Sequence, residues 1–251
     1  MAQTVFNRYE KKYLMPEAVY RELRTKLAPH MQVDSYGLHT ICNIYYDTPD
    51  DLLIRRSIEK PIYKEKLRLR SYGIPGPDSR VYLEIKKKYE RVVNKRRIGL
   101  TLREAYDYVE RGIRPKEDSQ ILREIDFFLS RYTLARGLYL AYDRVALYGR
   151  EDAEFRVTFD RNIRSRRVRM GLEEGDSGEL LLPSGWVLME SKVLGATPLW
   201  FTHILSELAL YTTSFSKYGN IYQIELGAPN PTALMHHREE NWNNTRRKHV
   251  C

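Results

Sequence analysis

Alternation of charged and apolar residues is the feature of this sequence that most limits its fold. The segment YKEKLRLRSY (63–72) places four cations on one set of alternate positions, namely Lys64, Lys66, Arg68 and Arg70. Leu67 and Leu69 occupy the other set. Because successive side chains of a strand point to opposite faces, a strand here has one cationic face and one apolar face. Four neighbouring cations repel one another and cannot be buried unpaired, so the cationic face requires water or an anionic partner.

Seven other segments have a strand-like composition rich in Tyr, Val, Ile and Phe: 6–14, 38–47, 80–89, 91–99, 137–148, 153–163 and 186–193. Helical patterns lie between them, at 16–30, 101–112, 118–132 and 198–210. In the second helical pattern, Thr101 and Glu104 are spaced as a capping box, and Gly112 marks the end. Strands and helices do not alternate regularly, so the sequence predicts an α+β fold with an antiparallel sheet.

Cations recur on the alternating faces of the other strands: Lys12, Lys86, Lys88, Lys95, Arg97, Arg144, Arg156 and Lys192. A solvated face usually mixes charges of both signs, whereas these faces are mostly cationic. About eight strands can close into a barrel that holds one small ligand. We therefore predict a closed antiparallel eight-stranded β-barrel flanked by helices, with a basic tunnel inside. The alternative is an ordinary sheet whose charged face lies in water.

Carboxylates on the same faces are predicted to balance the cations or to hold a divalent metal: Glu10, Glu84, Asp160 and Glu190. The formal net charge of +9 favours an anionic partner, which can be nucleic acid, a membrane surface or a phosphate-rich small molecule. The aromatic residues Tyr9, Tyr13 and Tyr139 fall mostly on the faces opposite the cations, where they are expected in the core. Nucleic acid, which stacks on aromatic side chains beside cations, is therefore the less favoured partner.

Domain organisation and location follow from composition. The evenly mixed residues 1–227 are predicted to form one tunnel domain, and the polar residues 228–251 a flexible tail. The sequence has two cysteines, Cys42 and Cys251, which argues against a disulfide framework. No stretch approaches the roughly 20 apolar residues of a membrane span, and the N-terminus lacks the apolar core of a signal peptide. We therefore expect a cytoplasmic protein without a membrane span.

Seven motifs occur in the order expected of a VTC domain: RYEKKYL, KLRLRSYG, LEIKKK, AYDRVAL, FRVTFD, LMESKV and SFSKYG. The chain thus resembles, from Tyr9 to about Tyr222, the polyphosphate polymerase domain of the CYTH or triphosphate tunnel metalloenzyme superfamily. The resemblance implies a closed barrel of antiparallel strands whose basic tunnel binds triphosphate or polyphosphate.

The resemblance also implies a set of catalytic, phosphate-binding cations: Lys12, Arg68, Arg70, Lys86, Lys95, Arg144, Arg156 and Lys217. It matches Ser216 to a substrate-binding serine beside the last lysine, and Glu190 to a metal-binding glutamate. The alternation adds Lys66, Lys88, Arg97 and Lys192 as substrate-binding residues and Glu10 as a second metal ligand. Two positions depart from the family pattern. Arg8 replaces the first glutamate of E-x-E-x-K, and Ser214 stands where polymerases tend to carry a lysine.

These features predict phosphoryl transfer that depends on a divalent metal, Mn²⁺ or Mg²⁺, with a nucleoside triphosphate, polyphosphate or triphosphate as ligand. Synthesis of polyphosphate from a nucleoside triphosphate is the leading interpretation. Hydrolysis of an inorganic or nucleoside triphosphate at the same site is the nearest alternative. A third is a non-catalytic module that binds polyphosphate or a nucleotide. The sequence reveals the cations but not the phosphoryl acceptor, so it does not decide among the three.

Overall fold

The computed structural model describes residues 8–90 and 92–232 of the 251-residue chain. The strands in this part are β1 (Arg8–Pro16), β2 (Met31–Val33), β3 (His39–Asp47), β4 (Tyr63–Tyr72), β5 (Arg80–Tyr89), β6 (Val92–Thr101), β7 (Ala135–Gly149), β8 (Arg156–Arg166), β9 (Glu179–Leu180) and β10 (Trp186–Leu194). Within the described residues, all eight predicted strand segments are confirmed, with shifts of up to three residues at their ends. Positions 6, 7 and 91 of the predicted segments lie outside the described residues. The short strands β2 and β9 are additions that alternation over so few residues cannot signal.

The helices are α1 (Glu17–Leu27), α2 (Leu52–Ile58), α3 (Leu102–Arg111), α4 (Gln120–Arg131), α5 (Leu199–Glu207) and α6 (Lys217–Glu225). The four predicted helices correspond to α1, α3, α4 and α5. The predicted ends of α3 are confirmed: Thr101 and Glu104 form a capping box, and Gly112 adopts a left-handed conformation with φ of 72°. None of the helices in the described ranges has the length and apolar character needed to cross a membrane.

Helix α2 was not predicted because its N-terminus is capped from outside the helix. Its N-cap residue, Asp51, makes no side-chain capping hydrogen bond. Instead, the buried carboxylate of Asp47, at the end of β3, accepts hydrogen bonds from the backbone N–H groups of Leu53 and Ile54 at 2.8 and 3.0 Å. Side-chain acceptors satisfy the first N–H groups of a helix, which otherwise lack partners. A strand residue therefore organises the next helix, which a search for local capping patterns does not detect.

The sheet has the strand order β1-β10-β8-β7-β3-β4-β5-β6, with β2 paired to β7 and β9 to β8. The pairings β1–β10, β10–β8, β3–β4, β4–β5 and β5–β6 are antiparallel, as predicted. The order begins at β1 and ends at β6, and the described residues form no ladder between these two strands. The structure thus confirms an α+β protein with a large antiparallel sheet, whereas closure into a barrel is not confirmed.

The described residues form two compact units. The first consists of 8–39, 143–163 and 180–232, and the second of 40–142 and 164–179. Each unit has its own apolar core. In the first, the core includes Leu23, Phe159, Met189 and Phe201. In the second, it includes Leu67, Leu83, Ile125 and Phe128. The apolar faces predicted from alternation are therefore the faces that pack against helices and other core residues.

One prediction about the core is wrong. Tyr13 and Tyr139 are buried as expected, but Tyr9 is 56% exposed. Tyr9 pairs with Val193 in the β1–β10 register. The predicted tail, 228–251, lies mostly outside the described residues. In its described part, the Asn230 side chain donates a hydrogen bond to the backbone carbonyl of Leu181 at 2.9 Å.

Candidate functional site

A buried carboxylate in the second unit is surrounded by three cations. Glu84 on β5 is 1% exposed and lies opposite Arg68 of β4 in the strand register. Arg68 Nε donates a hydrogen bond to Glu84 Oε2 at 2.6 Å. Lys95 Nζ lies 2.8 Å from Glu84 Oε1, and Arg70 Nη1 lies 3.9 Å from the same oxygen. We call these four residues the Glu84 cluster. Its side chains carry three positive charges and one negative charge, so the cluster favours a further anion.

The electrostatics of the cluster appear in the pKa values of its members. Burial raises the pKa of Glu84. The charges of Arg68, Arg70 and Lys95 lower it by more, so that the resulting pKa is about 2. Burial lowers the pKa of Lys95, as do the two arginines, and although Glu84 opposes this, the pKa falls to about 8. The glutamate is therefore ionised at neutral pH, while the lysine holds its proton less firmly than a lysine in water.

The side-chain amide of Asn43 fixes the orientation of Arg70. Asn43 is fully buried on β3, and its Nδ2 donates to the backbone carbonyl of Leu140 at 3.0 Å. Its Oδ1 accepts a hydrogen bond from Arg70 Nε at 3.0 Å, and the hydroxyl of Tyr142 accepts one from Arg70 Nη2 at 3.2 Å. Asn43 is not among the site residues predicted from the sequence. The signal was present, since an amide within the apolar stretch 38–47 needs hydrogen-bond partners when it is buried.

Tyr45 has an equivalent relationship to Arg68, its partner in the β3–β4 register. The Tyr45 hydroxyl accepts a hydrogen bond from Arg68 Nη1 at 3.2 Å. Burial raises the pKa of Tyr45, but the positive charges of Arg68, Lys66 and Arg70 lower it to about 8. The phenol is thus more acidic than a tyrosine in water because of the cations around it. Tyr45 is likewise not among the site residues predicted from the sequence.

Rows of cations extend from the Glu84 cluster along the same strands. Lys66, Lys86 and Lys95 lie side by side on β4, β5 and β6, and Lys64 lies opposite Lys88 in the row beyond. Arg97, exposed on β6, has its guanidinium carbon 4.8 Å from the centre of the Tyr82 ring. The structure therefore places seven of the predicted cations together in the second unit: Lys66, Arg68, Arg70, Lys86, Lys88, Lys95 and Arg97.

A second buried carboxylate, Asp160 on β8, organises cations in the first unit. Asp160 is 1% exposed. Arg144 of β7 binds it with both ends of the guanidinium fork, Nε to Oδ1 at 2.6 Å and Nη2 to Oδ2 at 2.8 Å. Lys217 Nζ lies 2.6 Å from Oδ2. Burial raises the pKa of Asp160, but Arg144 and Lys217 hold it below its usual value. A bidentate pair of this kind fixes the direction of the arginine.

A four-residue group on β1 and β10 contains alternating charges. The register places Lys12 opposite Glu190, and Glu10 opposite Lys192. Lys192 Nζ lies 2.6 Å from Glu190 Oε1, and Lys12 Nζ lies 3.8 Å from Glu190 Oε2. Both lysines also contact Glu10: Lys12 Nζ lies 3.3 Å from Oε1, and Lys192 Nζ lies 3.8 Å from Oε2. Although burial raises the pKa of Glu190, Lys192, Lys12 and Lys217 hold it far below its ordinary value. We call Glu10, Lys12, Glu190 and Lys192 the Glu190 group.

Two further predicted site residues lie in the first unit. Arg156 is exposed and opposite Lys192 in the β8–β10 register. Ser216 is the N-cap of α6, and its hydroxyl accepts a hydrogen bond from the backbone N–H of Gly219 at 3.2 Å. Because Lys217 is the first residue of α6, this cap fixes the backbone that carries the lysine onto Asp160.

The donor atoms of the Glu190 group fit one mode of divalent-metal binding. Among the residues that the structure describes, no group of three or more His, Cys, Asp and Glu side chains is arranged to hold a metal ion. Glu10 and Glu190 supply two carboxylates linked through shared lysines. Mg²⁺ is commonly held by one or two carboxylates together with phosphate oxygens of the substrate. The residues therefore fit a metal that arrives with phosphate and do not form a complete protein cage.

The fold and site define a class: an α+β protein whose large antiparallel sheet presents rows of cations, balanced in part by buried carboxylates. The sequence profile described as VTC domain matches residues 7–225, and the chain belongs to this family. The resemblance drawn from the motifs is thereby confirmed. No curated protein matches the chain at a significant level.

Two solved structures resemble this chain in fold. One is a putative adenylate cyclase from Bacillus halodurans, with 15% sequence identity, a TM-score of 0.52, and an alignment that covers 82% of this chain and 92% of that one. The other is a putative adenylyl cyclase from Hippeastrum described as having a dominant triphosphatase activity, with 14% identity, a TM-score of 0.51, and coverage of 88% and 97%. At such low identity the likeness concerns the fold alone.

Proposed function

We propose that this chain catalyses metal-dependent phosphoryl transfer on triphosphate or polyphosphate, and that its product is polyphosphate made from a nucleoside triphosphate. The observation that carries the proposal is the Glu84 cluster, in which three cations share one buried carboxylate. Such a cluster has donor capacity left over for an anion. Phosphate is a highly charged anion whose oxygens fit the guanidinium fork of arginine, and the lysine ammonium group binds it as a point charge.

Phosphoryl transfer asks the protein for positioning and for positive charge more than for covalent chemistry. In the second unit, Arg68 and Arg70 would donate hydrogen bonds to the non-bridging oxygens, on which negative charge is spread during transfer. Tyr45 and Asn43 hold the two guanidinium groups in a fixed direction. Because these contacts exist before the ligand binds, the arginines need little reorganisation during the reaction.

The cations of the first unit would act on the same type of ligand. Asp160 holds Arg144 and Lys217, so a phosphate would meet two oriented donors. Lys12 and Lys192, which pair with Glu190, would also donate hydrogen bonds to phosphate oxygens. Arg156 and Ser216 remain proposed contributors. Closure of the sheet into a tunnel is likewise proposed, since the observed strand order begins at β1 and ends at β6.

Glu190, with Glu10 beside it, would hold the divalent ion, Mn²⁺ or Mg²⁺. Carboxylates repel a phosphate ligand, and a divalent ion held by them would offset that repulsion. When bound, the metal would neutralise and polarise phosphate oxygens. Glu190 would also orient Lys192 and Lys12 towards the phosphate through its ion pairs with them.

Incubation with ATP and Mn²⁺ tests the proposal. Long polymer in the product supports polyphosphate synthesis. Orthophosphate without polymer supports triphosphate hydrolysis, the activity named for the Hippeastrum protein of similar fold. Tight binding without turnover leaves the non-catalytic module. Arg68→Ala should remove any turnover, whereas Arg103→Ala serves as the control. Arg103 is an exposed arginine of the same unit, paired only loosely with Asp78 at 3.4 Å.

A further inference from the structure

Two tyrosines interrupt the cationic face of β4 and β5 next to the Glu84 cluster. Tyr72 of β4 and Tyr82 of β5 occupy the same alternate positions as Arg70 and Glu84 on their strands. Tyr72 is 50% exposed, and Tyr82 is half-buried. The core of the second unit is built from the opposite face of these strands, with residues such as Leu83. Packing of the core therefore does not account for the two rings.

The two rings and an arginine form a group of planar side chains in contact with one another. The ring centres of Tyr72 and Tyr82 lie 5.8 Å apart with an interplanar angle of 80°, which is an edge-to-face arrangement. The guanidinium carbon of Arg97, on β6, lies 4.8 Å from the centre of the Tyr82 ring, a cation–π contact. Arg97 is exposed. We call Tyr72, Tyr82 and Arg97 the aromatic platform.

Gly99 leaves room for a second arginine beside the platform. It lies opposite Tyr82 in the β5–β6 register. A Cβ atom at this position would lie 2.5 Å from Nε of Arg80, whose guanidinium carbon is 5.9 Å from the centre of the Tyr82 ring. The lack of a side chain at Gly99 thus allows Arg80 to lie near the ring. Aromatic rings and guanidinium planes are the groups on which nucleobases stack in proteins.

The platform lies one row from the Glu84 cluster. Tyr82 is directly opposite Arg70 in the β4–β5 register. It precedes Glu84 by two positions on β5, a distance of about 7 Å at roughly 3.3 Å per residue. A nucleoside attached to phosphates that lie on Arg68 and Arg70 therefore has stacking groups within reach at this end of the cluster.

We propose that the aromatic platform stacks on the nucleobase of a nucleoside triphosphate whose phosphates lie on the Glu84 cluster, and that it makes the protein prefer nucleoside triphosphates over a triphosphate without a base. The inference rests on the proposed function, because it presupposes that Arg68 and Arg70 bind phosphate. Stacking uses the flat face that every nucleobase has, so the platform should accept different bases. Purines present the larger face and should bind more tightly than pyrimidines.

Calorimetry with ATP and methyl triphosphate, without a divalent metal so that no turnover occurs, tests the inference. Both ligands are triphosphate monoesters of equal charge, so the difference between their affinities reports the nucleoside. Tyr72→Leu with Tyr82→Leu removes both rings of the platform, whereas Tyr72→Phe with Tyr82→Phe removes only the hydroxyls. Tyr63→Leu with Tyr89→Leu is the matched control. These two tyrosines pair on the same strands, lie on the opposite face and are 41% and 59% exposed.

The parent and the control variant should bind ATP about tenfold more tightly than methyl triphosphate. The platform leucine variant should bind both ligands equally within about twofold and keep the parent's affinity for methyl triphosphate. The phenylalanine variant should behave as the parent, because stacking requires the ring and not the hydroxyl. Melting temperatures check that the variants fold. If the leucine double variant does not fold, Tyr72→Leu alone takes its place and should still reduce the preference for ATP.

Three results would overturn the inference while leaving the proposed function in place. In the first, the parent binds both ligands equally well. In the second, the leucine variant keeps the parent's preference for ATP, or the control loses that preference to the same extent. In the third, the leucine variant loses the same affinity for both ligands, which would mean that the rings support the phosphate site. If neither ligand binds the parent, the proposed function itself is wrong.

Discussion

The amide of Asn43 connects Arg70 to the backbone of another strand. Its Nδ2 is bound to the Leu140 carbonyl and its Oδ1 to Arg70 Nε, both at 3.0 Å. A flexible arginine is thereby held at its Nε, while Nη1 and Nη2 point towards Glu84 and Tyr142. Asn43 is thus a positioning residue, whose influence on a ligand passes through Arg70.

We predict that Asn43→Ala weakens tripolyphosphate binding only while Arg70 is present. Arg70→Ala alone should lower the affinity by about tenfold, because charge-assisted hydrogen bonds are lost. In a double-mutant cycle, adding Asn43→Ala to Arg70→Ala should cost little further affinity. Asn43→Ala should also reduce the free energy of unfolding by about 1–3 kcal/mol, since it leaves the buried Leu140 carbonyl without its partner. Calorimetry and thermal melts measure both effects. Additive losses in affinity would show that Asn43 does not act through Arg70.

Glu190→Gln is expected to separate catalysis from binding. The substitution keeps the shape, removes the charge and releases Lys192 and Lys12 from their carboxylate partner. Turnover should be lost with either metal, whereas tripolyphosphate binding without metal should be unchanged or tighter. Glu207→Gln, on an exposed glutamate paired with Lys26, is the control. Calorimetry of tripolyphosphate binding with and without Mn²⁺ measures the metal's effect on affinity. If Mn²⁺ increases the affinity equally in variant and parent, Glu190 is not a metal ligand.

The low pKa of Glu84 predicts an acid-sensitive component of stability. Its folded-state pKa is about 2, below the unperturbed value of 4.5, so the unfolded chain binds this proton first. The stabilisation is therefore fully present above about pH 4.5 and is lost as the pH falls towards 2. Glu84→Gln should make the unfolding free energy less steeply dependent on pH in this window.

The same substitution should destabilise the protein at pH 7 by about 3 kcal/mol, because Arg68 loses a buried partner. Denaturant titrations across the pH window measure both effects. Glu124→Gln is the control, since Glu124 lies at longer distances from its two cations, 3.8 Å from Lys87 and 3.4 Å from Arg96. An unchanged slope for the Glu84 variant would contradict the assignment.

Binding of polyphosphate above neutral pH should be accompanied by proton uptake. Lys66 and Lys95 have pKa values of about 8 in the free protein, so part of each population is deprotonated at pH 8 to 9. An anion beside them favours the charged form and raises both values. Calorimetry in buffers of different ionisation enthalpy measures the protons taken up, and Lys66→Gln should reduce their number. Absence of uptake at this pH would mean that phosphate does not approach these lysines.

The lowered pKa values of Lys66 and Lys95 should also make the stability of the free protein depend on pH. For a lysine whose folded-state pKa is lowered, the unfolded chain binds more protons between the two values. The free energy of unfolding should therefore rise as the pH increases from about 8 towards the ordinary lysine value of 10.5. Denaturant titrations without ligand test this, and a fall over the same range would contradict the lowered pKa values of Lys66 and Lys95.

The sequence by itself determined the strands, most of the helices and the identity of the cationic faces. Alternation along 63–72 is a local property with a period of two, and it predicts the facing of Arg68 and Leu69 without knowledge of any partner. The capping box of Thr101 and Glu104 is equally local, because its hydrogen bonds join residues three apart.

Only the tertiary structure decided which charges meet. Glu84 and Lys95 come together through the β5–β6 pairing, and Asp160 meets Lys217 although the two lie 57 positions apart in the sequence. Ser216, expected from the family resemblance to bind substrate, caps α6 in the structure. Such contacts depend on long-range pairing and on the burial that follows from it. Burial makes each carboxylate bind cations strongly, and alternation alone carries no information about its depth.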